Sequence, residues 1–429
     1  MDGLVYPDRT VHTGLLEYKN VYRPARVISY DKESGELVLH NYMDFDDLKD
    51  YVKISYELTQ DGLVISKGKL PEVSAAPHSE GKINLKINVP ESGKCYLKFI
   101  YHLKKELPLL DEDHILGFDE IEVSQKDAKC QLAEKWVEKT VTDSELQVSE
   151  DDTQIHIKGR EFAYTIDRRT ALFTEMKFAG REYLNHPMEL NIWRAPTDND
   201  MYIKSEWKKA YYDKAYTRAY TTEVVQGKHG VKITSHASVV AETVQKILDV
   251  TITWKIEAAG KIDADIAVTK DDEFPDLPRF GVRMFLDKKL SAARYFGMGP
   301  QESYCDKHQA ASHGLYHANV DDLHEDYIRP QENGSHYDCE YVELNNSRYG
   351  IVVSAENAFS FNASYYTQEE LEKKTHNYEL TESDSVVFCV DYALNGIGSN
   401  SCGPVVLDQY RFDDVLFRFQ FTLIPYVKG

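Results

Sequence analysis

From residue 18 onward the chain alternates apolar and polar residues in short runs, and this period of two restricts the fold more than any other feature. In residues 52–59, Val-Lys-Ile-Ser-Tyr-Glu-Leu-Thr, every second side chain is apolar. A helix would scatter those side chains around its axis, whereas a strand puts them on one face. Similar runs occupy 26–30, 36–41, 63–69, 82–89, 95–103 and 118–123. Ser34-Gly35, Asp61-Gly62 and Ser92-Gly93 punctuate them as turns. About six or seven short strands in about 100 residues predict an antiparallel sandwich of immunoglobulin type over residues 18–123. Residues 110–118 carry Asp111, Glu112 and Asp113 and read as a surface loop before its last strand.

The β pattern resumes after residue 146 and runs to 429. Strands are expected at 153–158, 161–166, 172–178, 230–240, 245–257, 261–269, 279–286, 294–298, 338–344, 350–356, 385–391 and 416–424. Two helical patches interrupt them. One spans 204–216 around Trp207, and the other, 367–374, opens on Thr367 with Glu370 three residues later, a capping box. So many strands predict a large sandwich of two broad sheets. Residues 124–145, rich in Lys and Glu with Trp136 as a possible anchor, read as a linker. Residues 1–17 show turn chemistry without periodicity and read as the remnant of a preceding domain.

A chain of 429 residues is long enough for two or three cores. Its 29 Tyr and 17 Phe favour strands. A formal net charge of −21 argues against nucleic acid and anionic membranes as partners, and is indifferent to a neutral ligand. Six scattered cysteines, Cys95, Cys130, Cys305, Cys339, Cys389 and Cys402, form no Cys-x-x-Cys pair and read as reduced thiols in a cytoplasm. No apolar run approaches the ~20 residues that span a bilayer.

Four loops concentrate polar chemistry. In residues 191–200 an apolar run ends in Arg194, Asp198, Asn199 and Asp200 around Pro196, more hydrogen-bonding groups than a reversal of direction requires. A plain turn and the edge of a ligand site both remain open readings for it. Residues 295–306 run a strand into a Gly-Pro bend followed by Glu302 and Asp306, without the Lys and Ser/Thr of a phosphate loop. Residues 329–333 offer Arg329 and Glu332 as a pair. Residues 394–404 are dominated by small residues, so their backbone can approach another surface closely; Cys402 there reads as a small apolar filler. Carboxylates are plentiful, but no pair is singled out for glycoside cleavage, which needs a separation of roughly 5–10 Å.

These motifs, in this order, resemble the C-terminal half of the bacterial β-galactosidases of glycoside hydrolase family two: residues 2–12 (DGLVYPDRTVH), 194–200 (RAPTDND), 277–282 (LPRFGV), 297–306 (GMGPQESYCD), 327–334 (YIRPQENG) and 398–404 (GSNSCGP). The resemblance implies an all-β chain: an immunoglobulin-like antiparallel sandwich followed by a large β-supersandwich, galactose-mutarotase-like, with 1–17 the end of the catalytic barrel. It implies that the acid/base and nucleophile glutamates lie in that barrel, so that this portion alone is inactive. Arg194, Asp198, Asn199, Asp200, Ser401 and Cys402 then belong to the rim of the sugar site. Cys402 stands where the family's best-known member has a sugar-stacking tryptophan, and a thiol offers no aromatic face. Asp2 matches a sodium-ligating asparagine. Mg2+ and Na+ serve the full-length family, and none is expected tightly bound to this portion. The implied partners are a β-galactoside or galactose, the catalytic barrel, and other copies in a homo-oligomer. Two alternatives stand beside this: a separate small subunit or sugar-binding module of a two-chain enzyme, and a mutarotase-like epimerase using a His/Glu pair, with His236, His313, His317 and His336 as candidates.

Overall fold

A computed structural model describes residues 3–126 and 146–428. Strands dominate it. Near the N-terminus, Ala25–Tyr30, Glu36–Asn41 and Glu80–Asn84 form one antiparallel sheet. Leu63–Lys69, Val52–Gln60, Gly93–Leu103 and Ile115–Lys126 form a second, in that order. Their facing side chains, among them Leu37, Leu39, Leu58, Leu97, Phe99 and Tyr101, close one core. The alternation of the sequence is what makes this possible, since one face of each strand is apolar.

The C-terminal part stacks a five-stranded sheet on a twelve-stranded one. The small sheet holds Phe162–Asp167 and Leu172–Phe178 at its centre. The large one runs from Leu184–Asn191 through Arg279–Asp287, Ser385–Leu394, Tyr349–Ser364, Leu416–Val427, Ile262–Lys270, Val244–Glu257 and Gly230–Ala241 to Tyr216–Gln226. Trp254, fully buried, packs edge-on to Phe173 at 4.9 Å and to Phe421 at 6.4 Å, and its Nε1 donates to the Ala171 carbonyl at 2.8 Å. A buried indole needs such a partner for its N–H.

The two parts meet at Tyr96, Phe296 and Tyr341, which bury one another. Lys94 pairs with Glu340, and Lys98 donates to Ser312 Oγ at 2.8 Å. His313, 7% exposed, lies between Glu120 at 3.1 Å and Asp338 at 2.7 Å. Burial depresses its pKa, but the two carboxylates outweigh that and raise it to about 9.

Several expectations need correction. Residues 13–21, across the expected boundary at 17, form a helix, Thr13–Val21. Its Asn20 side chain accepts from Phe118 N at 2.7 Å and donates to the Gln309 carbonyl at 2.9 Å, tying both parts to one helical turn. The strand expected at 82–89 stops at Asn84, because Leu85 N turns to the Gly35 carbonyl. The loop expected at 110–118 is already strand from Ile115. The helix expected over 204–216 covers only Ile203–Lys209; after a single turn, Tyr212–Lys214, the chain enters the strand Tyr216–Gln226. Met1, Asp2, Cys130, Trp136 and most of the expected linker lie outside the described residues.

Candidate functional site

The strand Leu184–Asn191 delivers Arg194 to the interior, with no exposed surface. Its guanidinium forks onto Asp200, Nη2 at 2.7 Å and Nε at 3.1 Å. Nη1 donates to the Asn395 carbonyl at 2.5 Å and Nη2 to that of Gly396 at 3.2 Å. Desolvation of the guanidinium is outweighed by the Asp200 charge, so Arg194 stays protonated. Asp200 also accepts Thr197 N at 2.8 Å, closing a turn of 3-10 helix, Asp198–Asp200. One buried ion pair thus fixes the bend at 194–200 and holds the loop at 395–396 against it.

That second loop is gripped again from the bend at 302–307. The Asp306 carboxylate accepts Ile397 N at 3.0 Å and Gly398 N at 2.7 Å. The approach demands small residues: a Cβ on Gly396 would sit 2.8 Å from Asp306 Oδ2, and Gly398 has φ +60°. Asn199 completes the bridge, donating to the Gly398 carbonyl at 2.5 Å and accepting from Ser401 Oγ at 2.9 Å.

Glu302 ties the bend at 302–307 to residues 327–334. Its carboxylate accepts from Lys307 and from Tyr327, each at 2.5 Å, and from Gly334 N at 2.8 Å. Thr13 Oγ1, at the start of the N-terminal helix, lies 3.3 Å away. Burial pushes the Glu302 carboxyl up, yet Lys307, Tyr327 and the Gly334 N–H outweigh it and hold it below the usual range. Beneath lies a buried triad: Arg279 forks onto Asp391 at 3.0 and 2.5 Å and reaches Glu332 at 3.3 Å. Desolvation raises both carboxyls despite Arg279. The expected pairing of Glu332 with Arg329 is therefore corrected. Arg329 is exposed, 3.9 Å from Asp198, while Glu332 is drawn inward by the larger electrostatic gain of a desolvated guanidinium.

Together these loops and the N-terminal turn enclose a cleft of about 750 Å³, lined by Tyr6, His12, Asp198, Asn199, Arg329 and Ser401 among others. Of the expected rim residues, Asp198, Asn199 and Ser401 line it; Arg194 and Asp200 lie buried behind it as its frame. Cys402 is exposed one residue beyond Ser401, not the buried filler expected, because its loop is held from the Ser401 and Gly398 side. Tyr6, His12 and Tyr327 were not singled out. His12 packs its ring against both tyrosines, at 5.0 and 5.2 Å, and accepts Gly14 N at 3.1 Å. They lie within the segments 2–12 and 327–334 that carry the resemblance, which was the signal for them.

The four histidine candidates for an epimerase do not converge. His313 is committed at the junction. Burial pushes His336 down to about 4, with Met298 O at 3.2 Å. His236 meets Thr251 across a strand pair, and His317 is exposed on the strand Ser312–Asn319. Among the described residues no three His, Cys, Asp or Glu side chains are grouped to hold a metal ion, and no helix is long and apolar enough to cross a membrane.

Fold and cleft define a two-part all-β chain whose loops converge on one polar, aromatic-lined hollow. The sequence pattern of the β-galactosidase small chain matches residues 158–423, well over half of the chain, and that of β-galactosidase domain 4 matches residues 37–124. The chain belongs to the β-galactosidase small-chain family. A β-galactosidase of Actinobacillus pleuropneumoniae is 44% identical over 99% of this chain and 41% of its own length. One from Staphylococcus xylosus is 31% identical over 99% of this chain and 42% of its own length. The chain thus spans about two fifths of the length of the curated relatives it matches. A solved galactose 1-epimerase from Lactobacillus acidophilus NCFM aligns with 67% of this chain and 100% of its own, at 9% identity and TM-score 0.37.

Proposed function

We propose that this chain is the non-catalytic C-terminal portion of a cytoplasmic β-galactosidase. It braces the catalytic barrel and lends loops to the rim of the galactoside site. The convergence of residues 194–200, 302–307, 327–334 and 396–401 with the N-terminal turn on one cleft supports this reading. Asp198, Asn199, Ser401 and Arg329 offer acceptors and donors to which hydroxyls can hydrogen-bond, and Tyr6, His12 and Tyr327 offer ring surface. Two carboxylates of the cleft lining suit a frame better than an acid–base pair: Glu302 is taken by four donors and Glu332 by Arg279.

The test is hydrolysis of a nitrophenyl β-galactoside by the chain alone and by the chain mixed with the N-terminal remainder of the Actinobacillus relative. No turnover alone and restored turnover on mixing is the expected result; turnover by the chain alone above a buffer blank overturns it. The small-chain match favours a second reading, a subunit working with a separately encoded catalytic chain, and the reading frame upstream decides between the two.

A further inference from the structure

Tyr304 lines the cleft described above and also a second, smaller one of about 310 Å³. This second hollow opens where the large sheet departs from regular pairing. Along Ser335–Asn345 the register breaks on either side of Cys339, and the facing strand Tyr349–Ser364 passes from Ser354, opposite Tyr341, to Phe359, opposite Cys339. The four residues between, 355–358, have no pairing partner there, and Ala358 lines the hollow. Such breaks bend a strand away from its neighbour. The opposite wall, 409–414, is fixed by Arg411 forked onto Asp276 at 2.8 and 3.1 Å and by Phe412 N on Asn395 Oδ1 at 2.9 Å. The cavity is therefore framed by sheet and salt bridge and needs no closing movement to form.

Besides Tyr304, its lining includes Tyr337, Tyr392 and Tyr410, with Ser360 and Asp414. Tyr392 is held flat against Phe417, centroids 4.9 Å apart and planes 16° from parallel; Tyr337 lies on His308 at 5.9 Å. No hydrogen bond is made by the hydroxyls of these three tyrosines to any described residue, nor by Ser360, whose side chain belongs to a residue only 5% exposed. A framed hollow thus offers two ring-packed tyrosines, a third tyrosine ring and four hydroxyls without a partner among the described residues. The carboxylates of Asp338 and Asp414 border it and repel anions; Asp338 is already committed to His313.

We propose that this hollow is a second carbohydrate subsite, taking a neutral hexopyranoside whose ring packs on the tyrosines and whose hydroxyls pair with theirs. The choice of a galactoside as ligand rests on the proposed function; the hollow itself does not. It is distinct from the rim cleft, with which it shares Tyr304 as a lining residue.

The test is saturation-transfer NMR of methyl β-D-galactoside with the whole chain, comparing wild type, Tyr337→Phe/Tyr410→Phe and Asn199→Ala. The phenylalanine pair removes two hydroxyls that have no partner among the described residues, so its unfolding midpoint should match wild type. Expected is a fall in affinity of about tenfold in that pair, with binding retained in Asn199→Ala. Affinity unchanged in the phenylalanine pair overturns the subsite. So does an absence of binding to wild type, and in that case the restored turnover of the mixed halves would still stand. Binding lost in Asn199→Ala alone would place the sugar in the rim cleft and also overturn it.

Discussion

The imidazole of His313 lies flat on the ring of Tyr96, centroids 4.1 Å apart and planes 6° from parallel. The contact joins the two parts of the chain, and the carboxylates at either end of the imidazole, Glu120 and Asp338, come one from each part. Lys94, on the same strand as Tyr96, faces Asp338 as well.

A pH dependence follows with a definite sign. Folding raises the pKa of His313 from 6.5 to about 9. Its stabilisation is therefore complete below about pH 6.5, shrinks as pH rises, and is gone above about 9. The unfolding free energy of wild type should exceed that of His313→Gln by about 2 kcal/mol at pH 6 and converge with it by pH 10. A difference independent of pH across that range would show that the charge does not hold the junction.

Breaking the Arg194–Asp200 pair strands a charge with no exposure to water. Asp200→Asn should cost about 3–5 kcal/mol in urea unfolding. Adding Arg194→Met to it should cost much less than the sum of the single changes, because the orphaned charge is then removed. Additive costs would mean the two side chains act independently.

Asp306 acts on the loop rather than on the core. In Asp306→Ala, Ile397 N and Gly398 N lose their acceptor. Hydrogen exchange at 397–398 should accelerate at least about tenfold while the global midpoint moves by less than about 1 kcal/mol. Exchange unchanged at those two amides would show that Arg194 and Asn199 suffice to hold the loop.

Thiol chemistry distinguishes the cysteines. Cys95, Cys339 and Cys389 are buried, and burial pushes Cys305 up to about 12 and Cys389 to about 11. Cys402 alone among the described cysteines is exposed. Cys402→Ser should remove one equivalent of rapidly reacting thiol in a nitrobenzoate disulfide assay. An unchanged fast phase would place residue 402 out of solvent reach.

Burial follows the alternation along Ile262–Lys270, expected at 261–269, where every second residue is buried. Leu172–Phe178 and Leu63–Lys69 keep the bounds expected for them. Tyr216–Gln226 was hidden because it closes the edge of the large sheet with most of its length exposed, so no buried apolar face marks its period. Ser312–Asn319 was hidden because burial holds only its first half, and two histidines and a glycine blur its period. The short helix Thr13–Val21 has too little apolar periodicity to stand out, and its neighbours, Asn20 to Gln309 and Phe118, are distant in sequence. The polar loops themselves were visible as unusual clusters. Their meeting was not visible in the local pattern, and only the resemblance put 194–200 and 401–402 on one rim, because the order of strands in a twelve-stranded sheet sets which loops share an end. Glu332 illustrates the difficulty: its partner is 53 residues away rather than three.

Tyr304 stands in the partition between the two hollows. A guest that displaces this ring on one side also reshapes the other. Thermodynamic linkage then requires reciprocity: whatever factor the first occupant imposes on the second, the second imposes on the first.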